Sequence, residues 1–450
     1  MPSSRLLDKL FSAPWADECL DDGARLQGML DFEAALARAE ARVGIVPLDV
    51  AEAIAGKCRA ELFDLEQLAD AAARAGNPAI PMVKALTALV AAQQPGAARY
   101  VHLGATSQDA MDTGLVLQLR RLSAGLSRDL ARLSAALARL AAEHRETVLA
   151  GRTWLQQAPP VTFGLKAAGW LDAVERRAAS LADVVPRTLV LQFGGASGTL
   201  ASLGGRGLDV AEALSRELHL PLPALPWHAH RDRLAELAAF LGILAGTLGK
   251  IGRDISLLMQ TEVSEAFEPA GEGRGISSAM PQKRNPVASS VALAAAARAP
   301  GLVATLLSAM TQEHERGLGG WQAEWETLPA LGALAAGSLA AIAEAVEGLE
   351  IDAARMRENL AAQGGVALAE AASSALAERI GRPQAHEIVA RASRRAVETR
   401  RTLLETLSAD PAVTAHFSPR DLAAALEPGA YLGMASAFVD RVLAARKEDD

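Results

Sequence analysis

The chain is 450 residues long, half of them apolar, with a formal net charge of −8 at pH 7. That allows two or three domains around a large core and excludes general affinity for nucleic acid or an anionic membrane, since both need a basic face. Cys19 and Cys58 lie far apart without C-x-x-C or histidine-rich company, which argues against a disulfide framework or thiolate metal centre and for free buried thiols in a reducing compartment.

Asp8 and Lys9 break the amino-terminal stretch before a secretory apolar region can form. A long uncharged run, between Glu326 and Glu344, is rich in Ala and Gly, contains Pro329 and is short for a membrane span. A cytoplasmic protein is expected. With only 4% aromatic residues and an excess of Ala, Leu, Glu and Arg, intrinsic propensity favours helix over sheet, and the predicted fold class is all-α.

Residues 1–112 read as an N-terminal helical domain, broken by the turn-rich stretches "AGNPAIP" at 75–81 and "LGATSQDAMDTG" at 103–114. Beyond Thr113, Leu115, Leu119, Leu122, Leu126, Leu130, Leu133, Leu137 and Leu140 recur in steps of three and four, predicting one helix over about 113–145 that reaches roughly 50 Å at 1.5 Å per residue. Long helical neighbours are predicted over 161–183, 232–262, 287–312 and 328–347, so 113–350 reads as a central bundle. Gly242, Gly246 and Gly249 fall on one face of the third of these five helices, where another backbone can approach closely. A helix apolar nearly all round must be surrounded, which points to a bundle built from several chains. After about 350 the predicted helices shorten and Pro383, Pro411 and Pro419 punctuate them, marking 351–450 as a C-terminal helical domain.

The segment 271–286 interrupts this pattern. Gly271, Gly273 and Gly275 permit a hinge, Lys283 and Arg284 supply positive charge, and Asn285 with Pro286 reads as an N-cap and first helical residue. A helix N-terminus with two cations beside it suits a carboxylate or phosphate, and the glycines suit a lid. On local physics alone this reading and that of a surface loop with incidental charges stand level.

The stretch "SSAMPQKRNP" resembles the signature loop of the fumarase/aspartase superfamily, Gly-Ser-Ser-x-Met-Pro-x-Lys-x-Asn-Pro, with Ile276 as the one departure. "GATSQD" at 104–109 and "GRTWLQQAPPVT" at 151–162 resemble its other blocks in order and spacing, and "RLQGMLDFEAALARAEA" and "LQFGGASGTL" extend the likeness along the chain. The resemblance implies a homotetramer with a twenty-helix core, active sites assembled from three subunits, and addition or elimination next to a carboxylate. It assigns proton transfer to Ser277, binding of the activated carboxylate to Lys283 and Asn285, and hydrogen bonds from a second subunit to Thr106, Ser107 and Gln108. Ser278 is expected only to bond loop backbone.

Trp154 stands where most members carry a histidine that assists the leaving group. A departing carboxylate, with a pKa of about 4, needs no such proton, so tryptophan suits the lactone-forming branch, the cycloisomerases. Gln157 and Gln282 replace histidines common in that branch. Its substrate carries three carboxylates, for which His102 and Arg316 are the further cationic ligands expected, with Arg152 ranked below them. Lys84 is expected on a helix surface, and His228 and His230 lack the company a metal site needs; no metal and no cofactor are called for. An amine-releasing relative such as adenylosuccinate lyase and a non-catalytic helical scaffold are the alternatives.

Overall fold

The computed structural model describes residues 5–271, 273, 275–277, 279–280 and 282–449. Ser278 lies outside them. The helices that frame the functional residues are α1 (Asp22–Arg42), α2 (Ser107–Glu143), α3 (Phe163–Thr188), α4 (Asp232–Leu258), α5 (Val287–Ser308) and α6 (Gly320–Glu347). Short C-terminal helices follow, among them α7 (Ala353–Ala361), α8 (Ala369–Ile380) and α9 (Arg382–Thr399). Strand is confined to two antiparallel ribbons among the described residues: β1 (Val148–Thr153) with β2 (Gln156–Thr162), and β3 (Ala266–Phe267) with β4 (Glu350–Ile351).

The helix boundaries depart from the sequence reading in instructive places. The helix expected from 113 begins at Ser107, because Asp109 takes the backbone N–H of Thr106 and fixes the first turn. The last helix of the bundle begins at Gly320, not 328, and carries Pro329 inside it. Proline has no N–H for the carbonyl four residues back, and Arg25 donates to that Trp325 oxygen instead, at 3.1 Å. The leucine stripe of α2 is buried from Leu119 to Leu140, with Leu115 half-buried.

The chain divides into two compact units. The first comprises Met1–Asp129, Arg177–Gly249 and Val291–Ala340. In it α1 crosses α2 where Gly28 meets Gly114, so close that a Cβ on Gly28 would fall 2.7 Å from the Gly114 carbonyl oxygen. There α4 also packs on α5: a Cβ at Gly242 would meet Val303 at 2.7 Å, and one at Gly249 would meet Ala296 at 2.5 Å, while Gly246 faces open space. The second unit comprises Leu130–Arg176, Lys250–Ser290 and Ala341–Asp450. Its C-terminal core gathers Leu376, Ile388, Val389, Leu403, Leu407, Val413 and Leu422.

Three helices, α4, α5 and α6, are long and apolar enough to cross a membrane by length and composition. The uncharged run between Glu326 and Glu344 lies within α6, and α4 and α5 join it although each carries at least one charged residue. Most of the apolar stretch of α4 and α6 is covered by the chain itself, but only 28% of that of α5 is buried. An apolar helix this bare calls for a further surface to cover it.

Candidate active site

In the first unit the start of α2 organises a polar corner. The Asp109 carboxylate, fully buried, accepts the backbone N–H groups of Gly194 (3.1 Å) and Gly195 (2.8 Å), the Gln192 amide (3.1 Å) and the Thr106 N–H. Burial pushes its pKa up even against these donors. The bonds pin residues 192–195 against the helix start. One turn on, the Gln108 amide donates to Asp112 and to the His228 carbonyl, at 3.1 and 3.0 Å, and its oxygen accepts Arg316 Nη1 at 2.6 Å. Arg316 also donates to the carbonyls of Gly195 and Ala196, so its guanidinium is held on several sides before any ligand arrives.

His102 sits in left-handed backbone (φ 61°) with Nδ1 2.6 Å from Glu33 on α1. Burial works against a charged ring, but the Glu33 and Asp109 carboxylates outweigh it and the His102 pKa is raised. Thr106 and Ser107 lie half-buried at the helix start. Beneath them Arg231, itself buried, pairs with Asp112 (2.7 and 3.1 Å) and Glu324 (2.9 Å) and lies over the Trp227 ring. The structure thus gathers His102, Thr106, Ser107, Gln108 and Arg316 into one constellation.

The other expected residues belong to the second unit. Around Ser277 the loop is tight: its Oγ accepts the N–H of Met280 at 3.1 Å, and the Asn285 N–H donates to the Gly275 carbonyl at 2.9 Å. Gly275 has φ 61°, and a Cβ there would fall 2.7 Å from the Asn285 oxygen, so this glycine is required. Ile276 is not in left-handed backbone and is 71% exposed, so losing the pattern's glycine costs the loop nothing. Gln282, Lys283, Arg284 and Asn285 line a cavity of about 650 Å³ with Ser256, Gln260, Ser264 and Phe267.

The helix N-terminus beside this loop is not open to a ligand as expected. Glu268 accepts the N–H groups of Ala288 and Ser289, at 3.0 and 2.8 Å, and the Ser289 hydroxyl at 2.7 Å. A carboxylate of the chain already fills the place where an anion was expected. Arg284 is likewise engaged, with Glu350 at 2.8 Å and over the Phe267 ring at 4.9 Å. Lys283 is exposed and has no carboxylate partner among the described residues.

Arg152 places both terminal nitrogens on the buried Glu265, at 2.9 and 2.6 Å. Gln157 donates to the Asn359 carbonyl at 2.8 Å, and its own oxygen is buried without a partner among the described residues. Trp154 and Leu155 form the two-residue turn between β1 and β2, both with positive φ, and Trp154 is 98% exposed. Sequence reasoning missed Glu33, Glu268, Asp112, Arg231 and Glu324. Asp109 stood inside a quoted block without a role. The others make long-range pairings that no local pattern announces.

A family model described as "Lyase" matches residues 13–301, and one described as "Adenylosuccinate lyase C-terminus" matches 365–442. The chain is 59% identical to a 3-carboxy-cis,cis-muconate cycloisomerase of Pseudomonas aeruginosa, over 99% of this chain and 97% of that one. It is 54% identical to the Bradyrhizobium diazoefficiens protein of the same name, over 99% of each chain. The crystal structure of the 3-carboxy-cis,cis-muconate lactonizing enzyme from Pseudomonas putida superposes with a TM-score of 0.95 at 52% identity, over 99% of both chains. The chain belongs to the lyase family of the fumarase/aspartase superfamily and has its all-α fold.

Proposed function

We infer that the protein converts 3-carboxy-cis,cis-muconate to 4-carboxymuconolactone in protocatechuate catabolism, the β-ketoadipate pathway. The observation that carries this is the likeness to cycloisomerases along the whole chain, at 59% identity over 99% of its length. Trp154 in place of a histidine acid agrees with it.

One carboxylate oxygen of the substrate adds to the conjugated diene, and the electron pair moves toward another carboxylate as an aci-carboxylate. Protonation of the adjacent carbon completes the ring closure: the tri-anion takes up one proton, which the donor recovers from water, and becomes a lactone with two carboxylates, with no oxidant, reductant or cofactor required. We assign the developing negative charge to Lys283 and Asn285, and the proton to Ser277, six residues before that cation on the same loop. Arg316, His102, Thr106, Ser107 and Gln108 hold the remaining carboxylates, with Trp154 and Gln157 shaping the pocket and Arg152 acting from beneath through Glu265.

We propose a homotetramer, supported by the bare apolar face of α5 and the exposed Trp154, each of which a second copy of the chain would cover. The division at 112 and 350 into three helical domains belongs to the same reading, as does a cytoplasmic location.

The test is an ultraviolet turnover assay with 3-carboxy-cis,cis-muconate beside unsubstituted muconate and adenylosuccinate. Consumption of the first alone is expected. Release of a purine product without muconate turnover would assign the chain to the amine-releasing lyases. No turnover of any substrate, with Ser277→Ala and Lys283→Ala leaving ligand affinity unchanged, would leave a scaffold.

A further inference from the structure

Glu33 and Glu40 are seven residues apart on α1 and so share one face of it. Both are buried, 1% and 0% exposed. Glu33 reaches His102, but its second oxygen and both oxygens of Glu40 have no partner among the described residues. Buried carboxyls left this bare cost stability, and they stand directly behind a residue expected to meet the substrate. The His102 ring keeps 17% of its side-chain surface open, and its Nε2 has no partner among the described residues.

We propose that Glu33 is a positioning residue of this site: by holding Nδ1 of His102 it fixes the ring and leaves Nε2 as the donor offered to one substrate carboxylate. This rests on the reading of His102 as a substrate ligand. The arrangement follows a general logic of imidazole, in which a carboxylate on one nitrogen sets the tautomer, the orientation and the charge presented by the other. His102 is faced by Glu33 from α1 and Asp109 from α2, and Glu33 in turn by Glu40 and Cys58. Burial, together with the charge of Glu33, pushes Glu40 up to about 9, so Glu40 is a neutral acid at pH 7 and does not compete for the imidazolium. Because the His102 pKa is raised, its grip on an anion is complete at low pH and is lost as pH rises through that raised value.

The experiment compares Glu33→Gln, His102→Asn and the double variant, using 3-carboxy-cis,cis-muconate across a pH series. Glu33→Gln is expected to raise KM roughly tenfold, with kcat within about twofold, and to move the alkaline loss of affinity to lower pH. In the His102→Asn background the same substitution is expected to add nothing to KM. An equal effect of Glu33→Gln in both backgrounds, or an unmoved pH limb, would overturn the proposal. If His102→Asn alone leaves KM unchanged, the ligand reading of His102 fails, and if the unmodified enzyme turns over none of this substrate, the proposed function fails.

In either of those cases the His102 ring can be followed by NMR with labelled histidine. Glu33→Gln is expected to lower its titration midpoint, and an unchanged midpoint counts against the proposal. Should that variant not fold, the unmodified protein is expected to show a strongly downfield, hydrogen-bonded Nδ1 proton on His102; its absence would refute the assignment.

Discussion

The corner at the start of α2 and the loop at 271–286, one in each compact unit, treat their charged groups in opposite ways. In the corner three charged groups are answered within the chain: Asp109 by four donors, Arg231 by two carboxylates, Arg316 by Gln108 and two carbonyls. In the loop the groups assigned to chemistry are held by contacts to the loop's own backbone, and Lys283 is exposed. On the proposed roles, recognition falls where the fold is over-determined and chemistry where fewer contacts hold it. The corner's residues should therefore affect stability when changed, and the loop's should affect rate.

The largest expected effect is on rate alone. Ser277→Ala should lower kcat by roughly a hundredfold to ten-thousandfold while the midpoint of chemical denaturation stays within about 0.5 kcal/mol of the parent. Loss of stability in step with loss of rate would erase the contrast. The converse is Arg231→Met, which leaves Asp112 and Glu324 buried without a counter-charge and should destabilise by about 3 to 5 kcal/mol in a urea titration.

Next comes Glu40→Gln. The Glu40 pKa in the folded chain is about 9 against an ordinary 4.5. Its contribution is therefore fully present below pH 4.5 and declines as pH rises toward 9, a cost of about 3 kcal/mol by pH 7. The glutamine variant should match the parent near pH 4 and exceed it in thermal midpoint at pH 8. The smallest effect should come from Gly275→Ala, where a strained backbone of about 1 to 3 kcal/mol is confined to the loop. Turnover should fall several-fold with an almost unchanged melting temperature.

Much of this was legible in sequence, though unevenly. Period and composition sufficed for the long helices, because a stripe such as Leu119 to Leu140 has one way to be buried. The start of α2 was missed because "GATSQD" reads as a turn, while its aspartate caps the helix and ties down 194–195, eighty-five residues on. The start of α6 was missed because proline normally ends a helix, and the rescue comes from Arg25, three hundred positions away. The hairpin of β1 and β2 does not read as strand in sequence, since Pro159 and Pro160 argue against sheet; the ribbon accommodates them with a register shift at Ala150/Gly151 that leaves Pro159 unpaired. The residues around His102 and Arg316 came from family likeness. Glu33 and Glu268, which hold or replace their expected partners, leave no local trace.

The base of the signature loop carries a further consequence. Glu268 grips the first turn of α5 while Arg284 clasps Glu350, so both ends of the segment are tethered when the chain folds. The conformational entropy of the stem is therefore spent at folding, and a ligand meeting this loop need not supply it. Cutting either tether should make binding more costly in entropy and leave its enthalpy little changed.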